Sequence, residues 1–102
     1  MKIIWSDFAK SMLKDIHYYY KKKVNKVIAE RIINNIFTAT NQLMEFPNSG
    51  TEEETLERLK QNHKYLVNGN YKIIYKEIKE GVLITDVFDT RQNPTKLIDN
   101  LL

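Results

Sequence analysis

The alternation of apolar and polar positions predicts three consecutive antiparallel strands between residues 63 and 91. Asn68-Gly69 separates the first two apolar runs. Such a pair is a strong hairpin signal, because a type I′ turn requires positive φ at both central residues. Gly81 closes the second turn, and Pro94 prevents the third strand from continuing. The pattern therefore predicts a three-stranded meander.

Apolar positions at helical spacing predict two helices ahead of this meander. Ser6 is a suitable N-cap for the first helix, and Asn25 for the second. We expect the second helix to run from Lys26 to Phe46, where Pro47 ends it. The first helix presents the stripe Ala9, Leu13, Ile16 and Tyr20, and the second presents Ile28, Ile32, Ile36, Ala39 and Leu43.

The order of these elements predicts an α+β fold. Lys2 to Trp5 form a short opening strand, so the order is β-α-α-β-β-β, a helical hairpin packed on a small, mainly antiparallel sheet. Residues 52 to 61 form a short helix or a mobile loop. We expect one domain over residues 1–102. The pattern leaves open where the first strand lies in the sheet.

Composition narrows the functional classes. The chain has no cysteine and only two histidines, His17 and His63, so we expect no disulfide and no structural metal site. It shows no signal peptide, no membrane-spanning run and no nucleotide or cofactor motif, so we expect a cytoplasmic protein without a cofactor. The net charge of +3 permits binding to a polyanion without requiring it.

Cationic residues flank the meander. Arg58, Lys60, His63 and Lys64 lead into its first strand, and Arg91 follows its last. If the strand order brings the two groups together, they form a concave cationic surface suited to phosphate.

Simpler interpretations of these residues remain open. Arg58 and Arg91 can pair with Glu57 and with Asp89 or Asp86, a common surface arrangement. Lysines of loops are usually solvated. Tyrosines of strands usually pack in or beside the core.

Five short motifs, in order, carry a resemblance to a known family. They are W-S-x-x-A-x-x-x-L-x-x-I-x-x-Y from Trp5, F-P-N-S-G from Phe46, E-R-L from Glu57, Y-x-I-x-Y from Tyr71 and D-T-R-Q-N-P from Asp89. Together they resemble the RelE/ParE superfamily of bacterial toxins from type II toxin–antitoxin pairs. The resemblance covers nearly the whole chain and implies a helical hairpin on an antiparallel sheet.

One branch implied by the resemblance, the RelE type, cleaves mRNA on the ribosome without a metal and uses the RNA 2′-hydroxyl as nucleophile. On that hypothesis catalysis involves Lys60, Lys64 and Arg91. Binding of the nucleic acid or other target then involves Arg58, His63, Tyr65 and Tyr71.

The other branch, the ParE type, inhibits DNA gyrase and is not a nuclease. F-P-x-S-G and T-R-Q-x-P resemble this branch more closely. Asp89 also stands where many relatives have histidine, and a carboxylate does not replace a histidine acid at neutral pH. We therefore favour inhibition of gyrase over mRNA cleavage. A degenerate toxin that keeps only its antitoxin is a third alternative.

The resemblance also implies a protein partner, the cognate antitoxin. The apolar residues Leu97, Ile98 and Leu101 near the end of the chain are the predicted contacts, and a nearby apolar groove is the alternative.

Overall fold

The computed structural model describes residues 1–92 and confirms the predicted α+β fold. Its helices are α1 (Asp7–Lys23) and α2 (Lys26–Thr40). Its strands are β1 (Ile3–Trp5), β2 (Thr51–Glu52), β3 (Lys64–Asn68), β4 (Tyr71–Ile78) and β5 (Gly81–Asp89). Two 3₁₀ helices, Asn41–Met44 and Glu54–Leu59, lie on either side of β2.

The strands form one sheet in the order β1-β5-β4-β3-β2. All neighbours are antiparallel except β1 and β5, which run parallel with Ile3 opposite Val82. The first strand thus lies at one edge of the sheet, a position that the sequence pattern left open.

The predicted helix caps are present. The Ser6 hydroxyl accepts a hydrogen bond from the Ala9 N–H at 3.0 Å, and the Asn25 side-chain oxygen accepts one from the Ile28 N–H at 2.9 Å. Each bond satisfies a backbone donor that has no partner within its helix.

The prediction that the second helix continues to Phe46 is wrong, because α2 ends at Thr40. The Thr40 hydroxyl donates to the Phe37 carbonyl at 2.7 Å, and the chain then tightens into the 3₁₀ helix. The two-residue strand β2 was not predicted. Residues 52 to 61 contain a 3₁₀ helix, Glu54–Leu59, which agrees with the short helix that was one of the two predicted alternatives.

The two faces of the sheet are covered by different material. The helices cover one, the helix face, where Leu13, Ile36, Ile73, Tyr75 and Ile84 belong to one buried apolar cluster. The segment from residue 53 to 59 covers part of the other, the outer face. A smaller cluster of Leu56, Ile74 and Phe88 lies there, with Leu59 and Tyr65 against it.

Gly50 explains part of the F-P-N-S-G motif. Its N–H donates to the hydroxyl of the fully buried Tyr75 at 2.9 Å. A Cβ at this position would lie 2.7 Å from the Tyr65 carbonyl oxygen and would also collide with the Tyr75 hydroxyl. The motif therefore places a glycine where only a hydrogen atom fits.

Candidate functional site

The predicted site residues lie in two groups on the sheet. Lys64, the first residue of β3, pairs with Tyr75 in the middle of β4, whereas Tyr71 pairs with Asp89 where β4 begins and β5 ends. Tyr71 and Tyr75 are four positions apart along β4, about 13 Å at the usual rise of a strand. Lys60 precedes β3 and Arg91 follows β5, so neither lies between these two pairs. The cationic residues do not converge.

Lys60 and Lys64 lie at the β2 side of the sheet. Lys60 is exposed and ends the second 3₁₀ helix with a positive φ of 54°. Lys64 is half-buried in β3. The backbone of Arg58 belongs to the same 3₁₀ helix, and its side chain lies outside the described part of the structure.

His63 and Tyr65 face the outer side of the sheet. His63 is only 4 % exposed, and its Nδ1 has no hydrogen-bond partner within residues 1–92. Burial lowers the pKa of His63, the positive charge of Lys76 lowers it further, and Glu53 opposes both. We conclude that His63 is a neutral, enclosed side chain.

A charged pair joins the outer face to the segment that covers it. Lys72 Nζ lies 3.0 Å from a carboxylate oxygen of Glu53, whose side chain is 3 % exposed. The same ammonium group lies 4.1 Å from the centre of the Tyr65 ring, within the range of a cation–π contact. Tyr65 is therefore already engaged by a cation of its own chain.

Tyr71, Asp89 and Arg91 meet at the other end of the sheet. The Arg91 guanidinium binds the Asp89 carboxylate through two atoms, at 2.9 and 2.7 Å. This confirms the surface ion pair that was one of the open interpretations of Arg91. The hydrogen bond from the Arg91 side chain lowers the pKa of Asp89 below its ordinary value, although burial opposes this shift. The same hydrogen bond and the charge of Asp89 raise the pKa of Arg91.

Tyr71 lies beneath this ion pair on the helix face. It is 7 % exposed, and its hydroxyl donates to that of Tyr20 at 3.4 Å. Burial is the main cause that raises the pKa of Tyr71, and the bond to Tyr20 raises it further. A concavity of about 440 Å³ opens beside these residues and α1.

A groove along the helical hairpin was missed by the sequence argument. It measures about 710 Å³, and we call it the hairpin groove. Its lining is Lys10, Leu13, Lys14, Asp15, His17, Tyr18 and Lys21 from α1 with Ile33 and Phe37 from α2. Tyr18 and Phe37 are 62 % and 43 % exposed, so this surface presents large apolar side chains to solvent.

Three lysines make one wall of the hairpin groove cationic, and a histidine lies in the same row. Lys10, Lys14, His17 and Lys21 follow one another at spacings of four, three and four residues, which places them in one row along α1. The row lies beside the buried stripe that begins at Ala9. This spacing is the feature of the sequence from which the basic wall of the groove could have been predicted. The apolar wall from α2 could not be inferred from it.

The described residues hold no metal-binding group: within residues 1–92, no three His, Asp or Glu side chains are placed to ligate one ion. No helix of the same range is long and apolar enough to cross a membrane. The predicted antitoxin contacts Leu97, Ile98 and Leu101 lie outside the described residues.

Comparison with solved structures supports the fold class. A chain of the chromosomal ParDE TA system from P. aeruginosa matches with a TM-score of 0.73 over 87 % of this chain and 95 % of that one. The two sequences are 14 % identical, so this likeness concerns the fold. No curated protein matches the chain.

The family follows from the sequence itself. The family described as the ParE toxin of the type II toxin-antitoxin system, parDE, matches residues 3–94. The chain therefore belongs to the ParE toxin family, and the resemblance drawn from its five motifs is confirmed.

Proposed function

We propose that this toxin acts by binding DNA gyrase, without cutting mRNA, and that an antitoxin helix neutralises it from the hairpin groove. The observation that supports inhibition by binding, as opposed to RNA cleavage, is that Lys60 and Lys64 lie apart from Arg91 on the sheet.

Cleavage of RNA by its own 2′-hydroxyl requires a base, a proton donor and a phosphate-binding cation around one phosphodiester. Catalytic side chains must lie within hydrogen-bond reach of the atoms they serve. Here the backbone at Lys64 lies about 13 Å along the strands from the Tyr71–Asp89 pair, and the Arg91 side chain is already bound to Asp89. Asp89 also binds Arg91 and stays ionised well below neutral pH, so it supplies no proton to a leaving group.

The hairpin groove fits an amphipathic helix. A helix docks through an apolar stripe that enters such a groove, and here Tyr18, Ile33 and Phe37 would receive it. The row of Lys10, Lys14 and Lys21 favours acidic residues beside that stripe. Leu97, Ile98 and Leu101 remain proposed contacts of the same partner.

The target is tested with two purified systems. We expect the protein to inhibit supercoiling by DNA gyrase and to leave mRNA intact in a translation system that contains ribosomes. Cuts at the ribosomal decoding position, absent without ribosomes, would overturn the proposal in favour of the nuclease alternative. Inactivity in both systems would indicate a degenerate toxin.

The proposed residues are tested in cells. We expect an Arg58→Ala, Arg91→Ala double variant to lose growth arrest, and intact growth arrest would remove both residues from the target surface. For the groove, Phe37→Asp should abolish antitoxin binding while toxicity persists. Val67→Asp is the matched control, because Val67 is 62 % exposed on a strand outside the groove.

A further inference from the structure

The positive charge of the chain is concentrated on its helical hairpin. Residues 7–40 contain seven Lys and Arg against three Asp and Glu, a net charge of +4. The whole chain carries +3, so the remaining residues sum to −1. A chain with modest net charge therefore presents one strongly cationic element.

Four of these cations lie where α1 turns into α2. Lys21, Lys22 and Lys23 end α1 and Lys26 begins α2, with two residues between the helices. We call these four lysines the hairpin tip. All four are exposed. Among the described residues the first three form no salt bridge, and Lys26 approaches only Glu30, at 3.9 Å.

Helix electrostatics explain only part of this arrangement. The lysines of α1 offset the partial negative charge of a helix C-terminus. Lys26, however, lies at the N-terminus of α2, where the partial charge is positive and acidic residues are favoured, and the first turn of α2 has none. The tip therefore brings together four like charges and the positive end of a helix.

An aromatic ring lies against the same cations. Lys22 Nζ is 5.5 Å from the centre of the Tyr18 ring, and Tyr18 is 62 % exposed. A cationic surface beside an exposed ring is the combination by which proteins hold a phosphodiester backbone and stack on an unpaired base.

From these observations we propose that the hairpin tip binds the phosphodiester backbone of nucleic acid. The inference does not depend on the gyrase proposal. Lys22, Lys23 and Lys26 do not line the hairpin groove, so a helix docked in the groove leaves them accessible. Lys21 and Tyr18 line the groove, so the same helix would cover them.

The test is fluorescence anisotropy of the full chain with a labelled DNA duplex and with a labelled single strand, across a range of salt concentrations. The tip variant is Lys22→Gln/Lys23→Gln. The control is Lys2→Gln/Lys79→Gln, which removes the same charge from two exposed lysines elsewhere. Circular dichroism checks that both variants fold.

We expect the tip variant to lose affinity by roughly tenfold or more and its salt slope to fall by about 2 on duplex, because each phosphate contact contributes about 0.9 to that slope. The control should keep the slope of the original chain. If Tyr18→Ala weakens binding of the single strand but not of the duplex, base stacking adds to the phosphate contacts. If it weakens neither, the binding belongs to the backbone alone.

Three results would overturn the proposal. They are no binding to either probe at low salt, equal losses in the tip and control variants, and tip-dependent binding to phosphatidylserine vesicles without binding to DNA. The last result would assign the tip to a membrane surface. A failure of gyrase inhibition would leave the anisotropy result unaffected.

Discussion

The two faces of the sheet are stabilised in different ways. The helix face buries aliphatic and tyrosine side chains from both helices and three strands. The outer face buries a smaller apolar cluster together with the ionisable residues Glu53, His63 and Asp86. Apolar packing involves no titrating group, whereas buried polar and ionisable groups depend on their partners. The comparison predicts that the two faces respond to different perturbations.

Removal of a core side chain should have the largest effect. Ile36 on the helix face and Leu56 on the outer face are 0 % and 1 % exposed. We expect Ile36→Ala to cost about 3–4 kcal/mol and Leu56→Ala about 2–3 kcal/mol, because the 3₁₀ segment can close over a cavity more easily than α2. Urea unfolding measures both. An equal or larger cost for Leu56→Ala would remove this distinction between the faces.

A larger side chain packed against the helix face should lower the stability of the fold. Gly50→Ala places a methyl group against the buried Tyr75 hydroxyl and the Tyr65 carbonyl, and we expect a cost of about 2 kcal/mol. Gly69→Ala is the matched control, because its Cβ would meet nothing within 4 Å and only its positive φ of 59° opposes the change. We expect the control to cost about 1 kcal/mol in thermal unfolding. Equal costs would show that Gly50 is not restricted by packing.

Loss of a charge should affect the outer face. Lys72→Met leaves the Glu53 carboxylate buried without its cation, and we expect a cost of about 1–2 kcal/mol. A further Glu53→Gln change should restore part of that stability. Lys79→Met, at an exposed turn, serves as the control and should be nearly neutral in urea unfolding. Additive losses from the two changes would mean that the pair is not coupled.

The smallest effect should be a dependence on pH. Because the pKa of His63 is lowered in the folded chain, the unfolded chain binds more protons below about pH 6.5. The contribution of His63 is therefore complete above that pH, and it is lost as the pH falls toward the pKa of the folded state. We expect His63→Asn to flatten the stability curve in this window. An unchanged slope would contradict the assignment.

The sequence predicted the features that depend on local chemistry. The glycine turn between β3 and β4, the caps Ser6 and Asn25, and the strand pattern each act within a few residues, and each is present in the structure. The predicted type I′ turn at Asn68-Gly69 is wrong by one residue, because Asn68 ends β3 and pairs with Tyr71, and only Gly69 of the two has a positive φ. The end of α2 was placed too late, because Pro47 sets only the last residue at which a helix can stop. The helix instead ends at Thr40, where a 3₁₀ helix takes over.

The candidate site was less predictable. Whether Lys64 approaches Arg91 depends on strand order and register, which no local pattern specifies. The hairpin groove arises from two helices whose facing residues, such as Lys14 and Ile33, are far apart in the sequence. The lysines of the hairpin tip and the start of the second helix at Lys26 could both be inferred from the sequence, whereas only the structure shows the contact of Lys22 with the exposed Tyr18 ring.

The pairing of β1 with β5 has a consequence for biosynthesis. The first strand to be translated has its partner in residues 82–84, so it stays unpaired until nearly all of the described chain has been made. Contacts so distant in sequence form late because they must close a long loop. A chain that stops before residue 82 therefore cannot complete this sheet, and the fold of the toxin cannot form until residues 82–84 have been made.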